Sequence, residues 1–433
     1  MKISILSVFP DLYTSFLSTS LVSRAQDKGL VTFDTTSFFS FVKPGERIDT
    51  PTFGHGAGMV IKPEVVERAI EEKTKQHGKA YKIFFSPHGK KLNQKRLQSI
   101  AKKVQEYGHC MLVPARYEGM DARVEEHYAD EILSVGDFVL MGGDLPAMMF
   151  LEGFLRLIPG VVGKQESVER DSFYGSFVDH PEYGGLATWK DKKVPDVVRS
   201  GNHALLEQWR LDCAAKRTVF NHFDWLRSSG LKKEEKKIAQ RHLPSHYVAL
   251  MHEDVHIGDH GAVGTTSVTS LDIHDIARSS RTYGMKNYFI VTPLIDQQRI
   301  INTLLDFWNS DVGINYNQSR HEAVSRVNVV DTIDQVIEKI TKKEGKKPLL
   351  VATSARAMGG VPLISYSDQE RVWAENRPVL FIFGTGRGLT KEFLGRCDYL
   401  LRPLHGFSDF NHLSVRSAAA IILDRWMGIN EKT

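Results

Sequence analysis

Apolar residues in the first third of the chain fall into short runs separated by amphipathic stretches. ISILSVF, VTFDTTSFF, YKIFFSP, HCMLVPA and EILSVGDFVL read as strands. They are too short for core helices and are bounded by Gly, Pro and polar clusters. Between them, PEVVERAIEEK and KKLNQKRLQSIAKKVQEYG repeat their apolar residues at helical spacing, and Pro63 suits a first helical turn. Short strands alternating with helices predict an α/β domain with a mainly parallel sheet over residues 1–165. Residues 166–185 are polar, contain glycine and lack periodicity, which predicts a flexible interdomain loop. Residues 186–245 are mainly helical as far as Pro244. A second α/β pattern then runs from 246 to 433 through HYVALMH, YFIVTP, PLLVATS, VLFIF and YLLRP, and closes on the helix SVRSAAAIILDRWMG.

The two α/β patterns end alike: strand, glycine turn, helix, strand, glycine loop, helix. Gly119 to Leu145 spans 26 residues and Gly388 to Leu413 spans 25. The layout hints at two versions of one ligand-binding module, although letter identity is too low for a repeat. The glycines of FGTGRGL invite comparison with a dinucleotide fingerprint, but Leu389 stands where the third glycine is needed. Only 45 residues follow Gly388, too few for the rest of such a unit.

Composition narrows the class. Of 433 residues, 42% are apolar and 25% charged, with a formal net charge of +4. Nucleic-acid affinity would therefore depend on local basic patches. Candidates are Lys90, Lys91, Lys95, Arg96, Lys102 and Lys103, predicted on one helix, and the segment 232–241, with five basic and two acidic residues. Solvated helix faces are the ordinary role of such runs. Three scattered cysteines point to a reducing compartment, and no run reaches the roughly 18 apolar residues of a membrane span. MKISILSVFPD reads as a first strand rather than a leader, so a cytoplasmic location is expected. His252, His256 and His260 have helical spacing but follow a strand among glycines, so no metal site is assigned.

Seven ordered motifs carry a resemblance: FGHGAGM, SPHGKKLNQ, ARYEGMDARV, SVGDFVLMGGDLPAM, RLIPGVVG, DSF and SGNHALLEQWR. Residues 1–243 resemble the bacterial tRNA (guanine-N1)-methyltransferase family, TrmD. The second half resembles the ribose 2′-O branch of the same SPOUT superfamily through LDIHDIARSSRTYG, FGTGRGL and FNHLSVRSAAAI, with single-letter departures in each. The resemblance implies two SPOUT-type α/β domains, each with a deep trefoil knot, joined by a small helical tRNA-binding domain that includes His203 and Trp209. It implies S-adenosylmethionine as methyl donor, held in the first half by Ala115, Tyr117, Val135, Gly136, Phe138, Leu140, Gly142 and Gly143. In the second half the matching positions are Thr353, Gly384, Gly386, Leu389, Leu404, Asn411, Leu413 and Ser414. Ala115 replaces the family's usual glycine.

The same resemblance assigns Asp171 as the base that takes the guanine N1 proton and Arg156 as the cation beside O6, at tRNA position 37. Read without it, Asp171 is a solvated loop carboxylate and Arg156 a structural ion-pair partner. A homodimer with its active site at the subunit interface is implied, and Mg²⁺ is allowed as an RNA-associated ion without identified ligands. Arg278 takes the place of the 2′-O branch's catalytic arginine, and Asp272 that of its asparagine. The second half is thus either a second RNA methyltransferase or a non-catalytic RNA-binding or dimerising module.

Overall fold

The computed structural model describes residues 1–54, 56–163, 171–258, 261–356 and 358–430. They form two compact units, Met1–Gly175 and Ser176–Thr433.

The first unit is built on strands β1 (Lys2–Ser7), β2 (Thr32–Ser37), β5 (Tyr81–Lys91), β6 (His109–Pro114) and β7 (Glu131–Ser134), and a hairpin of β3 (Asp49–Pro51) and β4 (Met59–Ile61). The sheet has the order β2-β1-β6-β5-β7 and every pairing in it is parallel. Side chains of a strand alternate between sheet faces. Ile3, Ile5, Ile83, Phe85, Cys110 and Leu112 therefore enter one core, and Leu6, Phe84, Met111 and Val113 the other. Burial on both faces is why these strands read as near-continuous apolar runs. The helix Asp144–Leu155 packs Ala147, Phe150, Leu151 and Phe154 into the first of these cores.

Lys90 and Lys91 belong to β5, which corrects their expected place on a helix. After a register break between Phe85 and Lys90, the chain continues pairing with β7. The helix starts only at Gln94, where the Asn93 side chain accepts the Arg96 amide at 2.9 Å.

The second unit contains two short hairpins, β8 (Thr188–Trp189) with β9 (Lys192–Lys193) and β11 (Val255–Ile257) with β12 (Ala262–Gly264). Its main sheet comprises β10 (His246–Met251), β13 (Tyr288–Val291), β14 (Val327–Val330), β15 (Leu349–Thr353), β16 (Leu363–Ile364), β17 (Val379–Gly384) and β18 (Tyr399–Leu401). The order is β14-β13-β10-β17-β15-β18-β16, again all parallel. The helical stretch before it contains a short helix, Asp196–Arg199, and the longer His203–Asn221, Phe223–Ser229 and Lys233–His242. Ala215, Val219, Leu226 and Ala239 of the three longer helices share one core with Val248, Phe381 and Trp426. Strand β14 and the helices Asp311–Tyr316, Gln318–Val324 and Ile333–Glu344 had no counterpart in the sequence reading.

The two units repeat one local order. β6, a turn, the helix Ala122–Tyr128, β7, a loop and the helix Asp144–Leu155 correspond to β17, a turn, the helix Lys391–Leu394, β18, a loop and the helix Val415–Met427. In each sheet the two strands flank a third, β5 or β15.

Candidate functional site

Open parallel sheets bind ligands outside the carboxyl ends of their strands. In the first unit the turn after β6 and the loop after β7 lie there, and together they hold all eight positions expected to bind the donor. Tyr117 adopts φ of 60°, a left-handed conformation rare outside glycine. Gly143 N–H donates to the Ala115 carbonyl at 2.7 Å, joining turn to loop. A Cβ on Gly142 would lie 2.5 Å from Arg116 Cδ, and one on Gly143 2.8 Å from the Ala115 nitrogen. These glycines thus make room for neighbouring protein atoms. Ala115 and Gly143 are buried, while Tyr117, Phe138, Leu140, Met141 and Leu145 are exposed. The turn and loop thus carry an exposed apolar fringe around their backbone.

Beneath the loop lies Asp144, 1% exposed, which the sequence reading overlooked. Its Oδ1 accepts from Ser7 Oγ at 2.6 Å and Tyr13 Oη at 3.0 Å, and its Oδ2 from Arg116 Nε at 2.6 Å. Burial, then the Asp144 charge, pushes the Tyr13 hydroxyl far above its ordinary pKa, so it stays a donor. The only local sign was an acidic residue directly after two glycines at a helix start.

Arg156 follows the last residue of the helix Asp144–Leu155 and forms an ion pair with Asp171. Their side chains are 40% and 41% exposed, so the pair faces solvent. In the segment 166–185, residues 166–170 lie outside the described residues, and 171–185 carry no helix or strand.

In the second unit, Thr353 ends β15 and donates to the Ile382 carbonyl at 3.0 Å. Gly384 ends β17, and Gly386 has φ of 60°, with the place of a Cβ only 2.7 Å from the His256 carbonyl oxygen. Leu389 is buried and bridges to Val255. Asn411 Nδ2 donates to the Ala355 carbonyl at 2.8 Å, Ser414 caps the helix Val415–Met427, Leu404 is buried and Leu413 exposed. Asp272 is buried, accepts from Thr269 Oγ1 at 2.6 Å and lies 3.5 Å from Arg416 Nη1. Arg416 also approaches Asp275 at 3.7 Å. Arg278, on the helix Ser270–Thr282, is exposed.

His252 and His256 are not on one helix: His252 follows β10 and His256 lies on β11. His260 lies outside the described residues. Thr385 Oγ1 donates to the Met251 carbonyl at 2.8 Å and contacts Thr266 Oγ1, which in turn contacts His252 Nδ1 at 2.9 Å. Burial pushes His252 down to about 4. Among the described residues no group of three or more His, Cys, Asp or Glu is placed to hold a metal. Nor is any helix among them long and apolar enough to cross a membrane.

Some of the expected basic surface is already engaged. Arg96 pairs with Glu131 at 2.6 Å, Lys91 with Asp137 at 2.7 Å and Lys237 with Glu234 at 2.9 Å. His203 begins its helix exposed, and Trp209 is half-buried with its ring centroid 6.2 Å from that of Tyr183.

Two family profiles match the chain. One, described as tRNA (Guanine-1)-methyltransferase TrmD, covers residues 1–228, and one described as SAM-dependent RNA methyltransferase covers 245–428. The chain is 37% identical over 434 residues to a tRNA (guanine-N(1)-)-methyltransferase of Nitratidesulfovibrio vulgaris, covering 99% of each. The protein of the same name from Oleidesulfovibrio alaskensis is 35% identical, again with 99% of each covered. That of Bacillus licheniformis is 39% identical over 239 residues, 55% of this chain and 97% of its own. Among solved structures, the tRNA (m1G37) methyltransferase of Aquifex aeolicus aligns at a TM-score of 0.41 and 30% identity, covering 48% of this chain and 87% of that one.

Proposed function

Since the chain belongs to the tRNA (guanine-N1)-methyltransferase family, we propose that its first half methylates N1 of guanine at tRNA position 37, with S-adenosylmethionine as donor. When bound, that donor supplies an electrophilic methyl group. The turn 115–117 and the loop 135–143 would hold it, with backbone groups toward its polar edges and the exposed aromatic and aliphatic side chains against its faces.

The observation that carries the chemistry is the Arg156–Asp171 pair. Guanine presents an N1–H donor beside an O6 acceptor, and a carboxylate next to a guanidinium is the complementary acceptor and donor. N1 is no nucleophile while protonated. Asp171 takes that proton, and Arg156 holds the negative charge that develops on O6. The two groups are paired with each other in the structure, so a base bound by both would take the place of that mutual contact.

The fold reading that accompanies this function has two SPOUT-type knotted domains, 1–165 and 246–433, with the helices of 186–245 gripping tRNA. The chain acts as a homodimer in which the 166–185 segment completes the partner's site. The repeated placement of β6 and β7 about β5, and of β17 and β18 about β15, supports one module used twice.

The second half is read as an S-adenosylmethionine-dependent RNA methyltransferase acting on a ribose 2′-oxygen. Arg278 would stabilise the developing oxyanion, and the positions from Thr353 to Ser414 would hold the donor. Unmodified tRNA transcripts incubated with the donor and either wild type or Asp171→Ala, then digested for mass spectrometry of nucleosides, test both halves. Loss of 1-methylguanosine with retention of a 2′-O-methylated nucleoside is expected. Undiminished 1-methylguanosine would refute the role of Asp171, and no ribose methylation by wild type on any tRNA would leave the second half a binding module.

A further inference from the structure

The eight proposed donor-binding positions lie on two separate pieces of chain, 115–117 and 135–143. One side chain spans both. Arg116 belongs to the first piece, and its Nε donates to Asp144 Oδ2 at 2.6 Å, immediately after the second. Its Nη1 reaches the Met141 carbonyl within the second at 3.4 Å. The Phe9 ring lies over the guanidinium at 5.0 Å, and the methylene stem occupies the place that a Gly142 side chain would need. The carboxylate that anchors it is fixed in turn by Ser7 at the end of β1 and by Tyr13. Both its oxygens thus accept hydrogen bonds from protein donors.

We propose that Arg116 and Asp144 are positioning residues for the methyl donor: an ion pair, its carboxylate buried and its guanidinium half-buried, that locks the two donor-binding pieces at one separation before the donor arrives. This rests on the reading of 115–117 and 135–143 as the donor site. Two loops held apart by a guanidinium cannot open or slide without breaking its contact with Asp144, which is costly for a carboxylate out of water. The role assigned to the two side chains is geometric: their contacts are with each other and with the protein around the two pieces. It also accounts for Gly142, whose missing side chain is occupied space belonging to Arg116.

The experiment measures 1-methylguanosine formation by the full-length protein across donor concentrations, for wild type, Arg116→Gln, Asp144→Asn and the double variant. Melting temperature is recorded alongside. Each single change is expected to raise the KM for S-adenosylmethionine about tenfold or more while kcat at saturation stays within about threefold. The double variant should be no worse than the poorer single one, because the pair acts as a unit. Arg116→Lys, which keeps the charge but loses the planar fork, should fall between wild type and Arg116→Gln and serves if the others fold poorly. An unchanged KM in a variant with lowered melting temperature would overturn the proposal and leave the pair purely structural. A fall in kcat with KM unchanged would also overturn it. If wild type forms no 1-methylguanosine, the functional reading itself fails, a result distinct from either.

Discussion

His246 sits at the start of β10, 2% exposed, and its protonation state is dictated by its neighbours. The Pro244 carbonyl can only accept, so the contact at 2.7 Å places the proton on Nδ1. The indole nitrogens of Trp373 and Trp426 can only donate, and both reach Nε2 at 3.1 Å. A proton on Nε2 would face two N–H groups. Burial pushes the imidazole down to about 4. In the unfolded chain it titrates near 6.5, so between those values the unfolded state binds more protons and stability falls as pH falls. At 1.36 kcal/mol per unit, this one residue withdraws about 3 kcal/mol between pH 7.5 and pH 4. His246→Gln keeps an acceptor without a titration, and His246→Phe strands two buried indole donors and a carbonyl at about 1–3 kcal/mol each. Urea unfolding followed by tryptophan fluorescence at several pH values gives the test as a difference between proteins, which cancels other titrating groups. The stability gap between wild type and His246→Gln should narrow by about 3 kcal/mol as pH drops through this window. A gap that stays constant from pH 7.5 to pH 4 would refute the assignment of a neutral, doubly accepting imidazole.

Other expectations follow from the site. Asp171→Asn should lower single-turnover 1-methylguanosine formation by about 10²- to 10⁴-fold while leaving tRNA affinity near wild type, as filter binding would check. Gly143→Ala places a methyl group 2.8 Å from the Ala115 nitrogen, and should weaken donor binding in calorimetry without altering tRNA binding. Arg278→Ala should abolish ribose methylation and spare 1-methylguanosine, both read in one nucleoside digest. Replacing Lys232, Lys233, Lys236 and Arg241 with Gln should flatten the salt dependence of tRNA binding by about 0.7–0.9 per lost phosphate contact. An unchanged slope would mean that this helix faces solvent only.

How much was readable in advance depends on whether the signal is local. Strands such as β1, β10 and β17 stood out because a parallel sheet buried on both faces demands unbroken apolar runs. A helix start was legible where a proline marks it, as at Pro63. Lys90 and Lys91 were misplaced because a register break in β5 leaves no trace in apolar periodicity. The turns proposed to hold the donor were singled out by ordered motifs, but the side chains that brace them carried no such mark. Arg116 and Asp144 are 28 residues apart, and Asp272 and Arg416 are 144 apart. Such contacts are set by strand order, which spacing along the chain does not encode.

The Arg156–Asp171 pair has a consequence for purine choice under the proposed roles. An adenine in the same pose would offer its amino group to a guanidinium and its bare ring nitrogen to a carboxylate, donor against donor and acceptor against acceptor. Leaving such groups mismatched in a closed site is penalised far more heavily than losing one good contact. Hypoxanthine keeps guanine's pattern at these two atoms and lacks only the 2-amino group, which neither residue is assigned to read. Rejection of adenine and acceptance of inosine would therefore share one origin: a carboxylate and a guanidinium side by side, whose acceptor and donor together form the hydrogen-bonding outline of one purine edge and not the other.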